Sequence, residues 1–231
     1  MIMNFTMLGK TVPEPTNARL SHYVCSAGYS PEHGPVRLYP LGMQGTPRRW
    51  STGLMPVHRH VANKDSRPES WLPDGAFGIS GTMPPKDRRA VLEKFLVGGI
   101  AEANERRLSL AVMRPMKPRF VLVGNVGEDI EPSYNLFADG EALKANERFE
   151  YCPRLKFATE DGLSNLRPQV RDWGIWELMR KNHREIGAME HADREKWVGN
   201  ALHISEKTLL LMGNFANHRT SWMIISALNV G

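Results

Sequence analysis

The chain has few cysteines and no long apolar segment, and each absence excludes a class of protein. Among its 231 residues, only Cys25 and Cys152 are cysteines, too few for a disulfide scaffold or a cysteine-rich zinc site. No apolar run approaches the roughly 20 residues that a membrane helix needs. The first residues also lack the basic and then apolar pattern of a signal peptide. We therefore predict a cytoplasmic protein with reduced thiols and no membrane association.

The rest of the composition is typical of a globular protein with many loops. Apolar residues make up 41% of the chain and charged residues 24%, which is enough apolar material for a hydrophobic core. The 20 glycines and 16 prolines favour short strands over a helical bundle. No internal repeat or low-complexity tract is present, and no motif indicates a cofactor.

Positive charge is concentrated in the first half of the chain. The net charge is +5; up to residue 119 there are 17 lysines and arginines against 9 acidic residues, and beyond it 13 against 16. This asymmetry is typical of a surface that binds nucleic acid or another polyanion, although many soluble proteins carry uneven charge without an acidic partner. The net charge changes sign near the basic segment 114–119, which contains two prolines. We therefore predict domains at 1–118 and 119–231.

Alternating apolar residues predict a β-hairpin near the start of the chain. Two strand-like segments flank a turn-forming segment, at residues 21–27, 36–41 and 28–35. Alternation places Val36 and Leu38 on one face of the second strand and Arg37 and Tyr39 on the other. We expect this second face to be open.

Apolar residues at helical spacing predict helices in both domains. The predicted helices are about 86–107, 173–184 and 188–201. The pair Gly98 and Gly99 costs about 1 kcal/mol per glycine inside a helix, so we expect a break or a close packing contact there. Asp172 is expected to cap the second helix. The apolar runs 209–211 and 223–225 predict central strands.

The loop at residues 63–71 has the highest density of polar side chains. Pro68 fixes its own φ and biases Arg67 toward an extended conformation, so Arg67 and Glu69 would project to the same side. Restricted polar loops often hold functional residues. The alternative is structural: these side chains pair with each other or with Asp65, and the tryptophan at the end of the loop covers the edge of a core.

Metal-dependent chemistry is a further use of the same region. His58 and His60 lie on one side of a predicted strand, and with Asp65 or Glu69 they could bind a divalent metal, or act as a general base. No other ligand has diagnostic spacing, so we predict no metal site. A nuclease that uses the 58–71 region is therefore an alternative rather than the main hypothesis.

Three motifs carry a family resemblance. They are Tyr-Val-Cys-Ser-Ala-Gly at 23–28, Arg-Leu-Tyr-Pro at 37–40 and Arg-Pro-Glu-Ser-Trp at 67–71. In these motifs the chain resembles an uncharacterised bacterial family described as a dual OB domain. The resemblance implies a mainly β chain with helices (α+β) that forms two tandem small OB-like barrels. By fold analogy alone, it also implies nucleic-acid binding.

OB barrels bind single strands by stacking bases on aromatic rings while basic groups follow the phosphates. We expect one groove lined by basic and aromatic residues of the first domain: Tyr23, Arg37, Tyr39, Arg48, Arg49, Trp50, Arg67 and Trp71. The predicted function is a nucleic-acid-binding module for single-stranded DNA or RNA, as a subunit of a prokaryotic defence or mobile-element complex. The alternative is a protein-interaction or assembly subunit, with the second domain suited to a protein partner.

Overall fold

The computed structural model describes residues 1–12, 14–15, 22–42, 46–59, 65, 67–124 and 151–230. The chain is mainly β with helices, as predicted. The strands are β1 (Ile2–Lys10), β2 (Glu14–Pro15), β3 (His22–Ser30), β4 (Gly34–Gly42), β5 (Ser51–Arg59), β6 (Ser70–Pro73), β7 (Gly78–Thr82), β8 (Leu96–Val97), β9 (Leu110–Met113), β10 (Met116–Gly124), β11 (Tyr151–Ala158), β12 (Thr208–Asn214) and β13 (Trp222–Asn229). The helices are α1 (Pro85–Glu93), α2 (Ile100–Glu105), α3 (Trp173–Lys181), α4 (His183–Gly187) and α5 (His191–Ala201).

Five strands close into a small barrel in the first part of the chain. Their order is β1-β3-β4-β6-β5, and β5 pairs back onto β1. Only the β4–β6 pair in this barrel is parallel. Apolar side chains fill the interior: Met3, Phe5, Met7, Val24, Val36, Leu38, Leu41, Met55, Val57 and Trp71. The prediction of a barrel is thus confirmed for this part of the chain. We use the name barrel domain for these five strands together with β7 and α1.

The second domain, from β8 onward, is not clearly a barrel. Its described strands divide between a four-stranded sheet, β13-β12-β9-β8, and the separate pair β10–β11. Helices α3, α4 and α5 pack against this domain's own apolar core. A second OB-like barrel is therefore not confirmed. Within the described residues, no helix has the length and apolar character needed to cross a membrane.

The predicted helix at 86–107 is wrong as a continuous element, because α1 and α2 are separated by β8. The break comes at the predicted glycine pair. A Cβ on Gly99 would collide with the carboxylate of Asp161, which accepts a hydrogen bond from Ala101 N at 2.8 Å at the start of α2. The glycine therefore marks both the expected break and a close packing contact.

The two domains share a core, and the sheet crosses the predicted boundary at 118–119. Strands β8 and β9 precede that boundary, but they join the sheet of β12 and β13. Apolar side chains from the barrel, from α1 and from this sheet pack together; the buried members of this shared core are Leu8, Ala27, Tyr29, Trp50, Val91, Leu92, Phe95, Leu110, Val112, Leu209, Leu211, Ile225 and Leu228. A hydrophobic interface of this extent opposes relative domain motion.

Candidate functional site

In the described part of the polar loop before β6, residues 65 and 67–69, the polar side chains point inward and form hydrogen bonds with one another and with the second domain. Arg67 donates from Nε and Nη2 to the Asp65 carboxylate at 2.7 and 2.6 Å, and from Nη1 to the Asn214 carbonyl at 2.9 Å. Ser70 also donates to Asp65, at 2.6 Å. Burial by itself would raise the pKa of Asp65, but the hydrogen bonds from Arg67 and Ser70 outweigh it and hold the pKa well below its usual range.

Glu69 and Arg37 extend this network into the second domain. Glu69 accepts hydrogen bonds from the backbone N and hydroxyl of Ser109 at 3.0 and 2.9 Å, and from Leu110 N at 3.3 Å. Arg37 donates to the Ser109 carbonyl at 2.8 Å and to the Cys25 Sγ at 3.1 Å. The two guanidinium groups and the two carboxylates balance in charge. The hydrogen bonds with Ser109 and Leu110 attach β4 and the residues before β6 to the second domain.

We expected Arg37, Arg67 and Trp71 to line an open groove, and this placement is wrong. Their side chains are buried, with exposures of 1% for Arg37, 8% for Arg67 and 4% for Trp71. Trp71 belongs to the barrel interior, and the Arg59 guanidinium lies 3.6 Å from its ring centroid. The structural alternative for the 63–71 loop describes these residues better.

The second domain covers the outer face of β3 and β4. On these strands Val36 and Leu38 point into the barrel, as alternation predicted. Ala27 and Tyr29 lie on the outside and belong to the shared core. OB barrels bind oligonucleotides on this pair of strands, so in this chain a second domain occupies the surface that the groove hypothesis required.

The carboxylates proposed for metal chemistry are occupied by protein donors. Asp65 pairs with Arg67 and Glu69 with Ser109, which leaves neither free to bind a cation. His58 Nδ1 lies 3.7 Å from an Asp74 oxygen, and His60 lies outside the described residues. In the described part of the chain, no three His, Cys, Asp or Glu residues come together as metal ligands. These contacts give the nuclease alternative no support among the described residues, and it stays a prediction.

The remaining predicted site residues are divided between interior and surface. Trp50 is buried, with the Arg88 guanidinium 5.0 Å from its ring centroid. Tyr23 and Tyr39 are half-buried. Arg48, by contrast, is exposed. Of the predicted groove residues, only the arginine pair at 48–49 is therefore exposed.

This arginine pair borders a cavity of about 420 Å³ between the two domains. The end of β1 and the segment before β5 supply one part of its lining, and the start of α3 supplies another. The lining includes three cations, one indole and one further apolar side chain: Lys10, Arg48, Arg49, Trp173 and Pro47. A cavity with apolar walls and a few convergent polar groups is typical of a ligand site.

Asp172 fixes the geometry of this cavity. Its Oδ1 accepts a hydrogen bond from Gly174 N at 2.7 Å, which confirms the predicted cap of α3. Its Oδ2 accepts from Arg49 Nη2 at 2.8 Å, from the Ser226 hydroxyl at 3.0 Å and from Ala227 N at 3.0 Å. Arg49 is thus committed to bridging the domains, and its charge is balanced by Asp172.

Two cations remain for a ligand in this cavity. Lys10 and Arg48 form no ion pair with other described residues. Burial lowers the pKa of Lys10, and the Glu177 carboxylate opposes that change without cancelling it. A lysine with a lowered pKa at the edge of a cavity is a candidate functional group on physical grounds.

Sequence reasoning missed Lys10 and Trp173 as site residues. Lys10 ends β1, and Trp173 was predicted only as the first residue of a helix. Two signals pointed to this place: the arginine pair at 48–49, predicted as site residues, and Asp172, recognised as a helix cap. Nothing local in the sequence indicates that the end of β1 lies beside that cap.

Family models divide the chain at the same place as the sheets do. A domain of unknown function, DUF8757, matches residues 98–229. The chain belongs to the DUF8757 family. A second domain of unknown function, DUF8758, matches residues 2–94. The cavity therefore lies between the DUF8758 match, which supplies Lys10 and Arg48, and the DUF8757 domain, which supplies Trp173.

Searches of curated proteins and of solved structures each found no match. The two family descriptions name neither an OB fold nor an activity. The resemblance to a dual OB-domain family therefore stays a prediction.

Proposed function

We propose that this DUF8757 protein is a nucleic-acid-binding module that contacts single-stranded DNA or RNA through the cavity between its domains. The observation that carries the proposal is the cavity lining, in which Lys10 and Arg48 meet the indole of Trp173. Single-strand binding requires cations for the phosphates and an aromatic face for the base. Both requirements are met at one place on the surface.

The barrel supports the proposal through its connectivity. Numbered one to five along the chain, the barrel strands have the spatial order 1-2-3-5-4-1, which is the Greek-key order of OB barrels. We propose OB kinship for the barrel domain on this basis. Because fold alone is a weak indicator of function, the cavity and not the topology carries the assignment.

The test is fluorescence-anisotropy binding to single-stranded DNA, single-stranded RNA and duplex at two salt concentrations. With two cations available for phosphates, the logarithm of the binding constant should fall with the logarithm of salt with a slope of about −1.4. Arg48→Ala should weaken binding and reduce that slope by about 0.7. Arg89→Ala is the matched control, because Arg89 is exposed on α1 and pairs with Glu93. Absence of binding at low salt, or equal loss in both variants, would refute the proposal.

A specific observation favours an assembly subunit as the second candidate. Strand β7 is exposed along its whole length, and among the described residues it pairs only with β5. Ile79 on this strand is 63% exposed and Leu54 on β5 is 52% exposed. Strand edges with exposed apolar side chains are common protein-binding surfaces. If this candidate is correct, Ile79→Lys abolishes a protein association and leaves nucleic-acid binding unchanged.

A further inference from the structure

We infer that the cavity holds a single nucleotide, so that a nucleoside monophosphate is a sufficient ligand and a continuous strand is not required. This inference rests on the proposed function and specifies the substrate class of the same site. It is carried by the arrangement of the cations, the size of the cavity and the rigidity of its walls.

The two cations are grouped at one cavity and are not spread along a groove. Lys10 at the end of β1 and Arg48 before β5 border the same cavity. A protein that follows a strand places its basic groups along a groove, with successive aromatic rings for successive bases. Here the lining has one indole, that of Trp173, which provides a stacking surface for one base.

The size of the cavity also fits one nucleotide. Its volume of about 420 Å³ lies near the lower end of the range of about 300–1,000 Å³ that is typical of small-ligand pockets. This is room for one nucleotide and not for several. Pro47 and the indole of Trp173 form the apolar part of the lining, where a base would lie, while the phosphate pairs with Arg48 and Lys10. An arginine side chain suits that role because its planar donors match phosphate oxygens in pairs.

The walls are held in place before any ligand arrives. A Cβ on Gly9 would lie 2.5 Å from the Cβ of Ser226, so the approach of β1 to β13 requires a glycine. The Arg49–Asp172 bond at 2.8 Å joins the two walls directly. Because Asp172 already accepts four hydrogen bonds, its carboxylate is screened from a bound phosphate. A preformed pocket of this kind binds small ligands with little loss of conformational entropy.

The experiment compares single nucleotides with strands on the full chain. Binding of the four ribonucleoside monophosphates, of inorganic phosphate and of oligonucleotides of increasing length is measured by calorimetry. Each unlabelled ligand is also used to displace a labelled oligonucleotide. We expect one nucleotide per chain, displacement of the oligonucleotide by nucleotides, and little gain in affinity with length. Inorganic phosphate should bind more weakly than any nucleotide.

Variants assign that binding to the cavity. Trp173→Ala should weaken nucleotide binding roughly 5- to 150-fold, equivalent to the stacking of one base at about 1–3 kcal/mol. Trp173→Phe keeps an aromatic face and should recover most of the affinity, which separates stacking from any effect on folding. Arg48→Ala should weaken nucleotides and phosphate alike, and Arg89→Ala should change neither.

The outcomes separate the inference from the proposed function. Affinity that rises steeply with strand length, with no displacement by nucleotides, would overturn the inference and leave strand binding standing. Phosphate that binds as tightly as a nucleotide would overturn it as well, because the base would then contribute nothing. Nucleotide binding without strand binding would uphold the inference and refute the strand proposal. Failure of every ligand to bind would refute both.

Discussion

Among single residues, Arg67 is one whose loss should be costly. Its guanidinium satisfies the buried Asp65 carboxylate and also reaches Asn214 in the second domain. Arg67→Ala leaves that buried carboxylate without a charged partner, which should lower the free energy of unfolding by about 3–5 kcal/mol. Urea unfolding measures the change, and Arg89→Ala, which breaks an exposed pair with Glu93, should cost less than about 1 kcal/mol. Equal effects would show that the network is dispensable.

Asp65 also gives the protein a defined acid response. Its pKa in the folded state is lowered, because hydrogen bonds from Arg67 and Ser70 outweigh the effect of burial. The corresponding stability is fully present above the unfolded-state pKa of about 3.9, and it is lost as pH falls below that value toward the folded pKa. Asp65→Asn should therefore be less stable at neutral pH and show a flatter stability profile below about pH 4. Parallel profiles for variant and wild type would contradict this assignment.

Lys10 should lower the stability of the folded protein while it contributes to nucleotide binding. Burial lowers its pKa, which means that the charged form is held at a cost in the folded protein. Lys10→Met removes that cost, and we expect a gain of about 1 kcal/mol in the free energy of unfolding together with weaker nucleotide binding. Thermal unfolding and calorimetric binding on the same sample test both halves. A variant that loses stability would indicate that the lysine is structural.

The arginines show how far sequence patterns can assign the role of a residue. Alternation correctly placed Arg37 on the outer side of the barrel, but the pattern holds no information on which element covers that side. Arg48 was predicted and remains at a surface cavity, whereas its partners Lys10 and Trp173 are separated by more than half the chain. Local spacing cannot bring such residues together, because their proximity depends on the packing of β1 against the second domain.

Among the elements, the start of α3 is the most sensitive. Asp172 caps this helix through Gly174 and also holds Arg49 and β13. Asp172→Ala removes both carboxylate oxygens that accept these hydrogen bonds and should lower the free energy of unfolding by about 1–3 kcal/mol. Asp172→Asn keeps one acceptor oxygen for the cap and should lose less. Denaturant unfolding of the two variants distinguishes the cap from the ion pair, and identical losses would assign the whole effect to the charge.

Element boundaries followed from the sequence where a local signal existed. The β3–β4 hairpin, the cap at Asp172 and the break at the glycine pair were each marked by residues with a specific backbone or hydrogen-bonding role. The arrangement of the second domain had no such local signal, because closure of a sheet depends on which distant strands pair. β9 pairs with β8 on one side and with β12 on the other; β12 lies about 100 residues further along the chain, and no period-two pattern specifies that pairing.

For the molecule as a whole, the shared core predicts a single unfolding transition. Leu211 is fully buried where the sheet of the second domain meets the barrel. Leu211→Ala should lower the free energy of unfolding by about 2–5 kcal/mol and shift the one transition without splitting it. Differential scanning calorimetry tests this expectation, with the exposed Leu163→Ala as control. Two resolved transitions would show that the domains fold independently.

The same shared core bears on how these two families can be recombined. A domain that is joined to its neighbour only by a linker can be replaced by a homologous domain, because its whole surface is already polar enough to face water. Here the barrel carries Leu8, Ala27 and Tyr29 into packing with the other domain, and Gly9 fits closely against Ser226. A chimera that takes one domain from another member would expose or misfit these side chains unless the facing residues were transplanted with it. We therefore expect the two domains of this protein to be exchangeable only as a pair.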